Sequence, residues 1–192
     1  MKILTLGLMA LVFQGDEAAR RAAFEKEFKD KDAAKRVDAV KKLAGSQEEK
    51  TLTLLAGALK DPANEVKKAA AETIEAITDG GGVAIANLCT ILVDKKQDQS
   101  VRLACAKALG KARYRTQPIQ AMIETISNIS NKEKELFEFG ANVTEVLEKY
   151  TGEKFLREKV TPQLWQNWWD ENKDKIKKED DAKRAEYKKT KK

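Results

Sequence analysis

The stretch VKKAAAETI, Val66 to Ile74, recurs as VRLACAKAL from Val101 to Leu109. Each copy opens on a valine and a cation, carries small residues at i+4 and i+5, and closes on a large aliphatic at i+8. KRVDAVKKL, beginning at Lys35, is a weaker third copy with Arg36, Ala39, Val40 and Leu43 in the matching places. The copies start 31 and 35 residues apart. Self-similarity at such a period marks a helical-repeat solenoid, because one repeat cannot bury its apolar face without its neighbours. The expected fold is therefore all-α: a short solenoid of about three helix pairs, with an N-terminal helix and C-terminal capping helices.

Working outward from these copies, each becomes the first helix (A) of a pair, followed by a second (B). The pairs are expected at 33–44 with 48–60, 62–78 with 83–93, and 99–112 with 118–130. Gly45-Ser46, Asp79 to Gly82, and the turn Arg113 to Gln117 separate A from B. Asp61-Pro62 reads as an N-cap followed by proline at the first helical position, and Asp98 reads as a cap for the third A helix. The B helices align: Leu52, Leu55 and Leu59 match Ile85, Leu88 and Leu92, and these match Ile119, Met122 and Ile126. Each set lies on one face of its helix and requires burial. The same alignment leaves Thr53, Gly57, Ala86, Thr90, Gln120 and Glu124 on the opposite, solvent-facing ridge.

Composition narrows the chemistry. The 192 residues hold 42% hydrophobic and 35% charged residues, with 10 Gly and 3 Pro to interrupt helices. With no histidine at all, Ser-His or Cys-His nucleophiles and imidazole metal ligands are excluded. Cys89 and Cys105 are the only cysteines, too few for a structural zinc site. No catalytic residue, cofactor or metal site is expected. Two cysteines in an exported chain could form a disulfide, but each aligns with an alanine of the neighbouring repeat (Ala56 and Ala70), which favours buried free thiols. A net charge of +6 and a pI of about 9.1 do not imply a nucleic-acid partner, since no aromatic residues interleave with a basic stripe on the repeats.

The N-terminus is a different kind of sequence. Lys2 precedes an apolar run from Ile3 to Phe13, and Gln14-Gly15-Asp16 restores polarity. This is the form of a secretory signal over residues 1–15, and the run is too short for an ordinary transmembrane helix. The alternatives are a buried N-terminal core helix, or an uncleaved segment that brings the chain to a membrane surface. Export predicts a periplasmic or secreted protein whose mature chain begins near Asp16. Residues 16–29 then form an N-terminal helix with Phe24 and Phe28 on one face.

The Asp-Pro-x-x-x-Val-Lys run from Asp61 to Lys67, and Val101-Arg102 with its alanines, resemble HEAT repeats over residues 30–131. The resemblance implies A helices on the convex face and B helices on the concave one. It also implies that Arg36, Lys67 and Arg102 form an inter-repeat ladder with acidic groups. It carries little about function, because such arrays serve unrelated roles. A narrower resemblance covers residues 132–178. A helix ending in Thr151-Gly152-Glu153-Lys154-Phe155, then a short loop, then Trp165-x-x-Trp168-Trp169, is similar to the end of small exported HEAT-repeat proteins of planctomycete-like bacteria, with Leu156 where those have glycine.

Several constellations admit two readings. Trp165, Trp168 and Trp169 at i, i+3 and i+4 form a structural cap over the open end of the solenoid, or a stacking platform for a ligand. Lys111, Arg113 and Arg115 surround Tyr114 in a basic turn, which is either solvated or an anion contact. The tail 179–192 mixes both signs and reads as a soluble, frayed helix end, with a polyanion-binding arm as the alternative. The function expected is a non-enzymatic exported scaffold binding a protein partner through Thr90, Gln120 and Glu124 or through the basic turn. The rival is an enzyme component on the same repeats, as in phycobilin lyases and a class of DNA glycosylases, which no motif here favours.

Overall fold

The computed structural model describes residues 17–46, 48–77, 83–129, 134–155 and 161–190. The expected signal segment and the Gly80 to Gly82 turn lie outside these. The described residues are helical and contain no strand. Residues 17–27 form α1. It is followed by α2 (Ala33–Lys41), α3 (Glu49–Ala58), α4 (Asn64–Glu75), α5 (Val83–Val93), α6 (Gln99–Leu109), α7 (Thr116–Ser127), α8 (Lys134–Thr151) and α9 (Pro162–Thr190).

The helices stack in two layers. α2, α4, α6 and α8 pack in succession as one layer, and α3, α5, α7 and α9 as the other. The B-helix face predicted to be apolar is the core: Leu55, Leu59, Leu88, Leu92, Ile119 and Met122 are all fully buried or nearly so. Burying each such side chain contributes about 1.5–3 kcal/mol. The small residues at i+4 and i+5 of the repeat motif, Ala70-Ala71 and Cys105-Ala106, have no exposure. They let A helices of adjacent repeats approach closely. At the N-terminal end, Phe24 stacks on Phe28 with centroids 4.7 Å apart, and Arg21 pairs with Glu48 to seat α1 on the first pair.

The layers extend beyond the three expected pairs. α8 lies on α6 in the same sense that α6 lies on α4, as Arg102 facing Phe139 and Gly110 facing Val146 show. It is the A helix of a fourth pair. A Cβ at Gly110 would come within 2.8 Å of Val146 Cγ1, so the glycine lets α8 seat. α9 takes the B-side position but runs antiparallel to α7: its first turns lie beside Glu124 and Ser127, and Asp180 lies beside Arg115. α8 ends at the opposite end of α7, where the Tyr150 hydroxyl donates to Ala112 O at 2.6 Å. α8 therefore ends, and α9 begins, at opposite ends of α7. Gly152, with φ of 79°, follows α8 directly.

Several helix boundaries differ from the sequence expectation, among them that of α7, which begins at Thr116 rather than Pro118, and two bear on the packing. Asp61 is not an N-cap. α4 begins at Asn64 with Ala63 in the cap position, and Pro62 lies before the helix. The Asp61 carboxylate instead accepts both Arg36 Nε and Nη2 at 2.8 Å, with Ala63 N–H at 2.9 Å. The division at residue 179 also falls inside α9, which continues unbroken to Thr190. Asp98 does cap α6, accepting from Ser100 and Val101 N–H.

Candidate interaction surface

Arg36 and Lys67 reach forward to the next repeat, while Arg102 reaches both back to α5 and forward to α8, and among the described residues only Arg36 pairs with an acid. Arg36 grips Asp61 through two hydrogen bonds. Lys67 Nζ donates to Gln97 Oε1 at 2.9 Å. Arg102, 4% exposed, donates Nε to Leu92 O at 2.8 Å and lies 4.6 Å from the Phe139 ring centroid. The acidic ladder is thus replaced, step by step, by an amide and then by an aromatic face. A ring quadrupole holds a guanidinium without introducing a second buried charge. Burial pulls the Arg102 guanidinium below its ordinary value.

The solvent-facing ridge is where the alignment placed it. Thr53 and Gly57 of α3, Ala86 and Thr90 of α5, and Gln120 and Glu124 of α7 are all exposed. Thr53 and Thr90 turn their hydroxyls back onto Glu49 O and Ala86 O, at 3.1 and 2.9 Å, which leaves a low, small-residue surface. The ridge ends at α9. There Gln120, Ile123, Glu124 and Ser127 of α7 face Gln166 and Trp169 across a groove of about 300 Å³. Thr90 lies outside this groove, so the candidates Thr90, Gln120 and Glu124 share a ridge and only the last two share a pocket.

The basic turn is not an open anion site. Lys111 and Arg113 are exposed, but Arg115 pairs with Glu179. Asp180, 2% exposed, accepts from Arg115 N–H and Thr116 N–H at 2.8 Å each, and from the Thr116 hydroxyl at 2.6 Å. These are orphan donors at the start of α7, where an anion is favoured by both hydrogen bonding and the helix dipole. Arg113 lies over the Tyr187 ring, and Arg184 over the Tyr114 ring. The residues read as a solvated tail are therefore the partners of the basic turn. Burial, reinforced by Asp180 nearby, raises the Tyr150 phenol above its usual range.

Of the tryptophans, Trp165 is fully buried and Trp169 nearly so, while Trp168 is half-buried. Trp165 meets Phe155 edge-on at 4.8 Å and Trp168 at 5.8 Å. Both cysteines are free, Cys105 buried and Cys89 partly so. Burial pushes each thiol up to about 12, which leaves them as packing groups with little thiolate at neutral pH. Among the described residues no group of three or more His, Cys, Asp and Glu side chains could hold a metal, and no helix is long and apolar enough to cross a membrane.

Residues 21–110 match the family model described as HEAT repeats. The HEAT-matching segment covers most of α1, both helices of the first two pairs and α6. It stops before α7, the helix whose first N–H groups are held by Asp180 of α9. No curated protein matches the chain.

Proposed function

We propose that this chain is a non-enzymatic scaffold of the exported kind, binding a protein partner along the ridge of its B helices. The observation that carries this reading is the ridge itself. Six aligned positions on the three B helices α3, α5 and α7 are exposed, while Leu55, Leu59, Leu88, Leu92, Ile119 and Met122 of the same helices are buried in a common core. A stack of repeats builds such an extended surface as a direct consequence of its geometry. With no histidine and both thiols raised by burial, neither a histidine-activated nucleophile nor a ready thiolate is available. Export rests on the sequence alone, through the basic start, the apolar run and the polar switch at Gln14. The three tryptophans act as the closure of the stack, a role supported by the burial of Trp165 and its edge contacts.

Affinity capture with the mature chain, followed by mass spectrometry, tests the central claim. A partner recovered with the native chain should be lost with Thr90→Arg while circular dichroism stays unchanged. Retention of that partner by Thr90→Arg and by Ala86→Arg would show the ridge to be idle. N-terminal sequencing of protein from its native source tests export. The mature chain should begin near Asp16, and recovery of Met1 on a cytosolic chain overturns that part.

A further inference from the structure

The groove that ends the ridge has a chemistry of its own. Gln120, Ile123, Glu124 and Ser127 occupy i, i+3, i+4 and i+7 of α7 and form one wall, and Gln166 and Trp169 of α9 form the other. We propose that this groove takes the guanidinium group of an arginine presented by an extended segment of the protein partner. The proposal rests on the ridge reading and adds the side chain that anchors the partner there.

The lining holds one carboxylate and no cation. Glu124 is exposed, and among the described residues its carboxylate has no ion-pair partner, unlike Glu179, which Arg115 holds. Gln166 has its amide hydrogens turned towards Asp170 Oδ2 at 3.3 Å, which leaves its carbonyl oxygen free to accept. The Ser127 hydroxyl can also accept. The lining therefore offers one carboxylate and neutral acceptors, with the indole of Trp169 and the side chain of Ile123 as its apolar part. A planar, weakly hydrated guanidinium suits this set: it donates in a fork to a carboxylate and stacks on an aromatic ring. A lysine ammonium could meet the carboxylate but not the plane. A metal would need more than one anionic ligand, and a phosphate would meet Glu124 head-on.

Size agrees with charge. At about 300 Å³ the groove lies at the lower edge of small-molecule pockets, which suits one inserted side chain better than a whole cofactor. The net charge of +6 opposes a cationic partner at long range. Physiological salt screens that field over roughly 8 Å, so local chemistry decides once the chains touch. The ridge leading into the groove is low and neutral, as an extended backbone lying across it would require.

The test uses the full chain labelled with nitrogen-15 and three blocked pentapeptides, Gly-Ala-Xaa-Ala-Gly, with arginine, lysine or citrulline at the centre. Citrulline keeps the shape of arginine and removes the charge. The arginine peptide should give saturable shifts of the Trp169 indole N–H and of the Gln120 and Gln166 side-chain amides. Lysine should bind several-fold more weakly and citrulline at least tenfold more weakly. Glu124→Gln, an exposed isosteric change that should not disturb folding, should weaken the arginine peptide at least tenfold. Equal binding of citrulline and arginine, or an unchanged affinity with Glu124→Gln, or no saturable shift at all, overturns the proposal. The captured partner separates this from the ridge reading. Loss with Thr90→Arg but undiminished capture by Glu124→Gln would sink the groove and leave the ridge standing. Capture unaffected by Thr90→Arg would sink the ridge, whatever the peptides do.

Discussion

Asp61 shows how one side chain can do a different job from the one its neighbours advertise. Beside a proline it has the look of a helix cap, yet it spends its two oxygens on Arg36 and on the Ala63 N–H. Burial alone would raise its carboxyl, but the Arg36 hydrogen bonds and the Ala63 N–H outweigh that and hold it below the usual carboxylate value. A folded value below the unfolded one means stability that is present above the unfolded value of about 4 and is lost as pH falls through the folded value. The stability difference between the native chain and Asp61→Asn should therefore be constant from neutrality to about pH 5 and shrink at lower pH. Urea denaturation across that range checks it, and a difference that grows on acidification would mean that the pair does not hold the carboxylate charged. Trp165 makes the second residue-scale case. It is the fully buried indole of the three, so Trp165→Ala should cost about 3–5 kcal/mol, read from the urea midpoint. Trp168→Ala, at a half-buried position, should cost clearly less, and the reverse order would place the anchor on the wrong indole.

At the scale of elements, α9 departs furthest from its sequence expectation. Twenty-nine residues make a helix roughly 43 Å long at 1.5 Å per residue, far longer than the helix it packs on. Its buried and half-buried side follows Trp165, Trp169, Ile176, Asp180 and Tyr187. That register was present in the chain, but an aspartate among lysines reads as a solvated face, because nothing local reveals that its partners sit 64 and 65 residues earlier. The B-helix register was easier: Leu88 and its counterparts follow one apolar period, and the ridge opposite them falls out of the same alignment. Gln120 and Glu124 were legible for that reason, whereas Gln166 and Trp169 became part of the groove only through the reversal of α9, a long-range event without a local signature. Asp180→Ala should leave the Arg115 and Thr116 donors without their acceptor, at a cost of about 1–3 kcal/mol. Faster amide exchange at those two positions, with exchange in α4 unchanged, would locate the loss at the start of α7. Uniform acceleration across the chain would instead mean that α9 and the repeats open together.

For the molecule as a whole, the question is what stops a stack of repeats at its last open face. A solenoid's terminal repeat exposes apolar surface that needs a cover with a polar outer side. In the reading proposed above, α9 is that cover. Its inward side carries two buried tryptophans and Ile176, and its outward side is charged, with Lys173, Asp174, Lys175, Lys177 and Lys178 in one run. Because it runs antiparallel to α7, it presents a different edge from the earlier B helices. A chain ending at Thr151 should keep most of its helical circular dichroism, since each earlier pair contacts only its neighbours. It should also unfold at a lower temperature and bind a hydrophobic dye through the bared α7. A second chain ending at Lys178 would keep the tryptophans and remove Asp180 and its neighbours. Its melting temperature should fall between those of the other two, because it loses the α7 cap but retains the apolar seal. If the chain ending at Thr151 melts where the full protein does, α9 is an appendage and the stack is closed by α8 alone.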